Sequence, residues 1–290
     1  MPNVLDLRRR IRSVKSTQQI TRAMKMVAAA RLRRAQERVI SARPYADQML
    51  AVLSSVAARI ERTEQPIHPL LAERPVKKLL LVLITSDRGL AGAFNANLIR
   101  AAQYYLSSHL GQGREAFLIA AGRKGRDFFR RRPVTMIGEY VKFFGRRLEF
   151  SQAQELAARI IELYTNESVD AADFIYNEFK SVMTQRVRVE RFLPVKRLEP
   201  GKGAPPIDYI YEQPPAEIFK ALLPHYVETE VYRALVESQA AEFAARMTAM
   251  DAATNNAREL IDTLTLNLNR VRQAAITKEI IEIVSGASAE

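Results

Sequence analysis

No cysteine occurs among the 290 residues. The chain therefore forms no disulfide, offers no thiol nucleophile and ligates no metal through sulfur, a composition that suits a reducing compartment. No stretch of about 18 apolar residues is present, so no helix is expected to insert into a membrane. The opening MPNVLDLRRR already carries a helical pattern and lacks the apolar core of a signal peptide, so neither a secretory leader nor a transit peptide is expected. Histidine is scarce: His68, His109 and His225 lie far apart, beside prolines or near a helix end, with no HxH, HExxH or carboxylate arrangement around them. Structural or surface roles are expected for all three, with no catalytic residue, no cofactor and no metal. No aromatic residue precedes Tyr45.

What is present is an ordinary globular balance, 48% hydrophobic and 26% charged, enough for a sizeable core in one or two domains. The formal charge of +12 is unevenly placed. Twelve Lys and Arg lie between Met1 and Arg43 against only Asp6 and Glu37, whereas six basic and ten acidic residues lie from Tyr226 to Glu290. Two long terminal segments of opposite sign thus suit each other as partners.

Both segments read as helices. From Tyr226 to Ala287 the residues Ala240, Phe243, Met247, Met250, Thr254, Ala257, Ile261, Leu264, Leu268, Val271 and Ala275 alternate at three and four, the spacing of a coiled-coil seam. No Gly precedes Gly286 and no Pro follows Pro224, so one helix of about 60 residues, roughly 90 Å long, is expected. Towards its end the apolar positions shift to Ile276, Ile280, Ile283 and Ala287, turning the buried face around the helix. In the first segment Val4, Leu7, Ile11 and Val14 form a short seam, and Ala35, Val39, Ala42, Ala46, Met49, Leu53, Val56 and Ile60 a longer one. KSTQQ interrupts the stripe between them, and Ile20, Met24 and Val27 resume it in a different phase, so looser packing is expected near Lys15 to Gln19. Pro44 reads as a bend, because the seam continues unshifted on both sides. If both helices leave the domain side by side, the last overruns the first by about a dozen residues, or ~15 to 20 Å.

Ten of the 13 prolines fall in two connectors, Glu64 to Pro75 and Pro194 to Pro224. Between them KKLLLVLI reads as a buried strand and REAFLIAAG and PVTMIGEY as a second and a third strand, with helices from about Asn95 to His109, over GRKGRDFFRRR and from about Ser151 to Asn166. ADFIYNEF and the alternating RVRVERFLPV read as a closing antiparallel hairpin. The expected fold class is α/β: an antiparallel coiled coil of the N- and C-terminal helices with an inserted Rossmann-like α/β domain. Its expected segments are 1–63, a connector 64–76, the α/β domain 77–193, a Pro-rich connector 194–224 and the helix 225–290.

Two features admit functional alternatives. The turn SDRGLAGAFN after the first strand is the right place for a phosphate cradle, but it contains neither GxGxxG nor GxxxxGK[ST]. Gly89 and Gly92 are expected to serve the turn and Asp87 to bond local backbone; a small nucleotide-binding enzyme remains the competing reading. The basic first helix could be a solvated face paired with the acidic last helix, a nucleic-acid contact or a surface for an anionic partner. Nucleic-acid binding normally brings aromatic platforms, which this helix lacks before Tyr45, and its charge spreads over several faces, which suits a rod inside an acidic collar better than a helix lying in one groove.

ITRAMKMVAAARLRRAQ (Ile20 to Gln36), TSDRGLAGAFN (Thr85 to Asn95), YRALVESQAAEFAARMTAM (Tyr232 to Met250) and NRVRQAAITKEIIEIVSGASA (Asn269 to Ala289) closely resemble the gamma subunit of F-type ATP synthases. The resemblance implies a central rotor shaft inside a ring of three alpha and three beta subunits, resting on the epsilon subunit and the membrane c-ring, with nucleotide sites on those partners. It implies contacts with that ring at Met24 and Lys25, at Arg88, and at Arg246, Gln273, Thr277 and Glu279. The expected place is peripheral, on the cytoplasmic face of a bacterial cell membrane. The thiol control of chloroplast members is not expected, for want of cysteine.

Overall fold

The computed structural model describes residues 3–59, 68–142, 148–195 and 213–287. The side chains of Ala42, Arg43, Asp47, Ala58, Arg59, Glu282, Gly286 and Ala287 also lie outside what it describes. Two compact units are present, one of residues up to Ala30 together with those from Arg246, the other Arg31–Ala245. Two long helices, α1 (Val4–Arg59) and α5 (Pro215–Ala287), contribute to both.

In the first unit α1 and α5 run antiparallel, since Lys25 meets Asp251 while Thr21 meets Thr254. The expected seam of α5 is observed here as far as Val271: Met250 and Ala257 are buried, and Thr254, Ile261, Leu264, Leu268 and Val271 are half-buried, whereas Ala275, expected to continue it, is exposed. From Arg272 onward every side chain described is exposed, including Ile276, Ile280 and Ile283, so the shifted apolar stripe covers nothing within this unit. On α1 the structure corrects the sequence reading. The seam passes without a phase change through Val14, Gln18, Thr21, Lys25 and Ala28, all at least half-buried. The supposed continuation is a separate stripe that faces outward: Ile20 and Val27 are 57% and 53% exposed. Apolarity failed as a guide because polar residues hold three successive seam positions, and two of them, Thr21 and Lys25, find partners across it.

In the second unit a five-stranded sheet has the order β3-β2-β1-β4-β5, built from β1 (Lys78–Ile84), β2 (Glu115–Ala121), β3 (Thr135–Tyr140), β4 (Ala171–Phe179) and β5 (Gln185–Leu193). The first four pair in parallel, and β5 closes the edge antiparallel to β4. All of β1 except Lys78 is buried, as a central parallel strand covered on both faces must be. The helices α2 (Phe94–Leu110), α3 (Arg123–Phe129) and α4 (Phe150–Thr165) lie where the pattern places them. Reciprocal bonds between Glu149 and Gln152 start α4. Within this unit too the long helices pair antiparallel, the Arg31 guanidinium lying 5.9 Å from the Phe243 ring while Arg38 Nη1 donates to Gln239 Oε1 at 3.5 Å.

The helix α5 starts at Pro215, ten residues before the expected boundary at 225, and runs through Pro224. Proline is well tolerated at a first helical position. The hydrogen bond lost at Pro224 is offset by Phe219, Leu223, Val227 and Val231, one continuous buried face on both sides of it. Likewise α1 runs through Pro44. Of the expected connectors, 64–67 and 196–212 lie outside the described residues, as does Ile60 of the seam; within the first, Pro69–Leu71 forms a short 3-10 helix, and the end of the second belongs to α5.

Candidate partner interface

The seam of the first unit carries a polar layer. Lys25 Nζ donates to Asp251 Oδ1 at 2.5 Å, with the side chains 41% and 47% exposed. One turn away Thr21 Oγ1 donates to the Gln18 carbonyl at 3.0 Å, which leaves its lone pairs for the Thr254 hydroxyl at 2.8 Å. Thr21 is buried, so this hydroxyl pair satisfies groups that would otherwise cost free energy in an apolar seam. Beside the layer the outward stripe of Ile20, Met24 and Val27 recurs at four and three residues, with Met24 half-buried between two exposed neighbours.

The residues singled out from sequence fall into four places. Met24 and Lys25 sit at the layer, Lys25 engaged with α5 and Met24 beside it. Arg246 is buried on α5. Gln273, Thr277 and Glu279 lie on the exposed end of α5, where the Thr277 hydroxyl donates to the Gln273 carbonyl at 2.9 Å. Arg88 belongs to the other unit, exposed in the turn after β1. Sequence reasoning passed over Asp251 and Thr21. Continuing the three/four spacing through polar residues, from Val14 to Ala28, would have found Thr21, with Lys25 as the charge that needs an acid opposite.

The turn around Arg88 uses its own polar groups. Ser86 Oγ donates to the Arg88 carbonyl at 2.6 Å, and the Ser86 amide donates to Asn95 Oδ1. Asp87 Oδ1 accepts from the Arg123 and Lys142 amides at 3.0 and 3.1 Å, joining three loops. Leu90 and Gly92 have positive φ, 63° and 55°, so Gly92 serves the turn as expected. These bonds favour a structural turn over a phosphate cradle. Each histidine also has a local partner. His68 Nδ1 accepts from the Leu70 amide, His109 lies 2.9 Å from Arg114, and His225 lies 3.2 Å from Glu228. Burial lowers the pKa of His68 and His109, with nearby Lys220 and Arg114 acting in the same direction. Among the described residues no group of three or more His, Asp or Glu could hold a metal.

Two terminal helices that pair antiparallel, with a five-stranded α/β unit between them in sequence, define the class: an antiparallel coiled coil with an inserted α/β domain. Residues 3–289 match the family model described as ATP synthase. The chain is 54% identical over 290 residues to the ATP synthase gamma chain of Solibacter usitatus, covering 100% of this chain and 99% of that one. It is 52% identical to the ATP synthase gamma chain of Moorella thermoacetica, over 100% and 99% of the two lengths. Among solved structures, a chain of the Tetrahymena thermophila mitochondrial ATP synthase central stalk and c-ring superposes with a TM-score of 0.60 at 28% identity, over 81% of this chain and 99% of that one. A chain of the Euglena gracilis mitochondrial ATP synthase superposes with a TM-score of 0.65 over 99% and 94%; at 21% identity it speaks for the fold alone. The chain belongs to the ATP synthase gamma chain family.

Proposed function

We propose that this chain is the central rotor shaft of a proton-transporting F-type ATP synthase. It couples rotation of the membrane c-ring to ATP synthesis in a hexamer of three alpha and three beta subunits, and it also contacts the epsilon subunit. The match to gamma chains over essentially the whole length carries this reading. The chain is a non-catalytic subunit, peripheral to a membrane-bound complex. Among the described residues no helix is long and apolar enough to cross a membrane. Its place is the cytoplasmic face of a bacterial cell membrane.

The mechanism follows from asymmetry. A ligand shifts an equilibrium between conformations only through unequal affinity for them, so a shaft can drive three beta subunits through different states only if its faces differ. Here one side of α1 presents Ile20 and Val27 with the half-buried Met24 between them, while the neighbouring side is closed by the polar layer, and the end of α5 exposes Ile276, Ile280, Ile281, Ile283 and Val284 among polar residues. Met24, Lys25, Arg246, Gln273, Thr277 and Glu279 are the residues through which the hexamer reads that surface, and Arg88 contributes from the α/β unit. Reconstitution with the alpha and beta subunits of the same organism tests the proposal. Stimulated ATP hydrolysis with unidirectional rotation is expected. Failure to join the hexamer, or salt-sensitive capture of nucleic acid in its place, overturns it.

A further inference from the structure

The contact between Lys25 and Asp251 is an interhelical ion pair at a seam position, and the seam around it has unusual composition. On α1 the three successive seam residues Gln18, Thr21 and Lys25 are polar. An apolar seam holds two helices together but distinguishes poorly between registers, whereas a polar group at a seam position specifies one. A slip of one heptad loses the pair in either direction, and in one of them it sets Lys25 against Arg258, a like charge. The Thr21 and Thr254 hydroxyls also meet in this register.

We propose that Asp251 is a positioning residue for the rotor surface: by holding Lys25 it fixes the rotational setting of α1 against α5 and so aims the stripe of Ile20, Met24 and Val27 outward. This rests on the reading of Met24 as a hexamer contact and revises it at Lys25, which acts inward through Asp251 and leaves the outward contact to its apolar neighbours. Met24 precedes Lys25 by one residue, about 100° around the helix. Drawing Lys25 into the seam therefore decides which way Met24 points. Both side chains of the pair are part-exposed, so the pair adds little to overall stability. What it supplies is a setting, and a wrong setting shows as faulty coupling.

The experiment compares Lys25→Asp, Asp251→Lys, the exchanged pair Lys25→Asp with Asp251→Lys, and the near-isosteric Asp251→Asn in the assembled complex. The readout is ATP-driven proton pumping divided by ATP hydrolysis in membrane vesicles. A purely structural role lowers the amount of assembled enzyme, and hence both activities together, leaving that ratio unmoved. Each charge reversal is expected to lower the ratio about five-fold, in line with coupling energies between contacting residues, Asp251→Asn less, and the exchange to restore most of it. An exchanged pair as poor as Lys25→Asp alone overturns the proposal, since Lys25 then acts on a partner subunit; the interface reading itself survives that result. Unchanged ratios in all four variants also overturn it, and the interface reading is then judged separately, at Met24.

Discussion

Gly122 passes so close to Thr85 that a β-carbon on it would lie 2.0 Å from the Thr85 carbonyl oxygen, and its φ of 119° is one that side-chain-bearing residues rarely adopt. The approach lets the Gly125 amide donate to Thr85 Oγ1 at 2.9 Å, bracing the start of α3 against the end of β1. Beyond Thr85 begins the turn that carries Arg88. Gly122→Ala therefore faces both strain and a backbone clash, and is expected to cost at least about 2 kcal/mol. Thermal unfolding of the purified chain measures it, and a loss below about 0.5 kcal/mol, the range of ordinary surface changes, contradicts this account.

On the sheet, Asp173 is 2% exposed; its Oδ1 accepts from Arg191 Nε at 2.6 Å and its Oδ2 from Arg191 Nη2 at 3.0 Å, and the Tyr105 hydroxyl donates to Oδ2 as well. Burial, reinforced by the bond to Asp173, pushes the Tyr105 phenol well above its ordinary range. Asp173→Ala removes the partner of a guanidinium that keeps 34% exposure and leaves the Tyr105 hydroxyl without its acceptor, and is expected to cost about 1 to 3 kcal/mol. Replacing Asp173 and Arg191 together by apolar residues should cost less than the sum of the single changes. A double-mutant cycle that comes out additive would sink the claim that they act as a unit.

Glu230 lies against Arg233 at 2.6 Å, yet its carboxyl pKa is raised: burial outweighs the attraction of Arg233 and Arg188, and Glu190 and Glu237 oppose ionisation further. A carboxyl raised on folding stabilises most below its unfolded value near 4.5, and that contribution is lost as pH rises through the folded value. Glu230→Gln removes this dependence. The melting temperature of the variant relative to the parent is expected to improve between pH 4 and pH 7, and a difference that moves the other way argues against burial as the dominant cause.

The proposed interface predicts a separation of stability from coupling. Met24→Lys adds a charge beside an exposed apolar stripe and is expected to change stability by less than about 1 kcal/mol, while lowering ATP-driven proton pumping relative to hydrolysis. Leu53, fully buried, is the counter-case: Leu53→Ala is expected to cost about 2 to 5 kcal/mol. Normal pumping by Met24→Lys complexes would remove that residue from the interface.

Much of this molecule was legible in its residues. The run Lys77 to Ile84 is apolar throughout because β1 is central and covered on both faces, and the alternation in Arg186 to Phe192 marks an edge strand. The three/four spacing from Ala240 to Val271 sufficed for the α5 seam, since apolar side chains at that interval leave a helix one face to bury. Local chemistry did not decide where α5 begins, because the cost of Pro224 is local while the burial of Phe219, Leu223 and Val227 that outweighs it depends on what packs against them. Nor did composition reveal which side of α1 faces in near Thr21. Ile20 and Val27 are the more apolar residues, but Thr21 and Lys25 meet Thr254 and Asp251 from a segment more than 200 residues away in sequence, and a polar side chain becomes a seam residue only once its partner is in place.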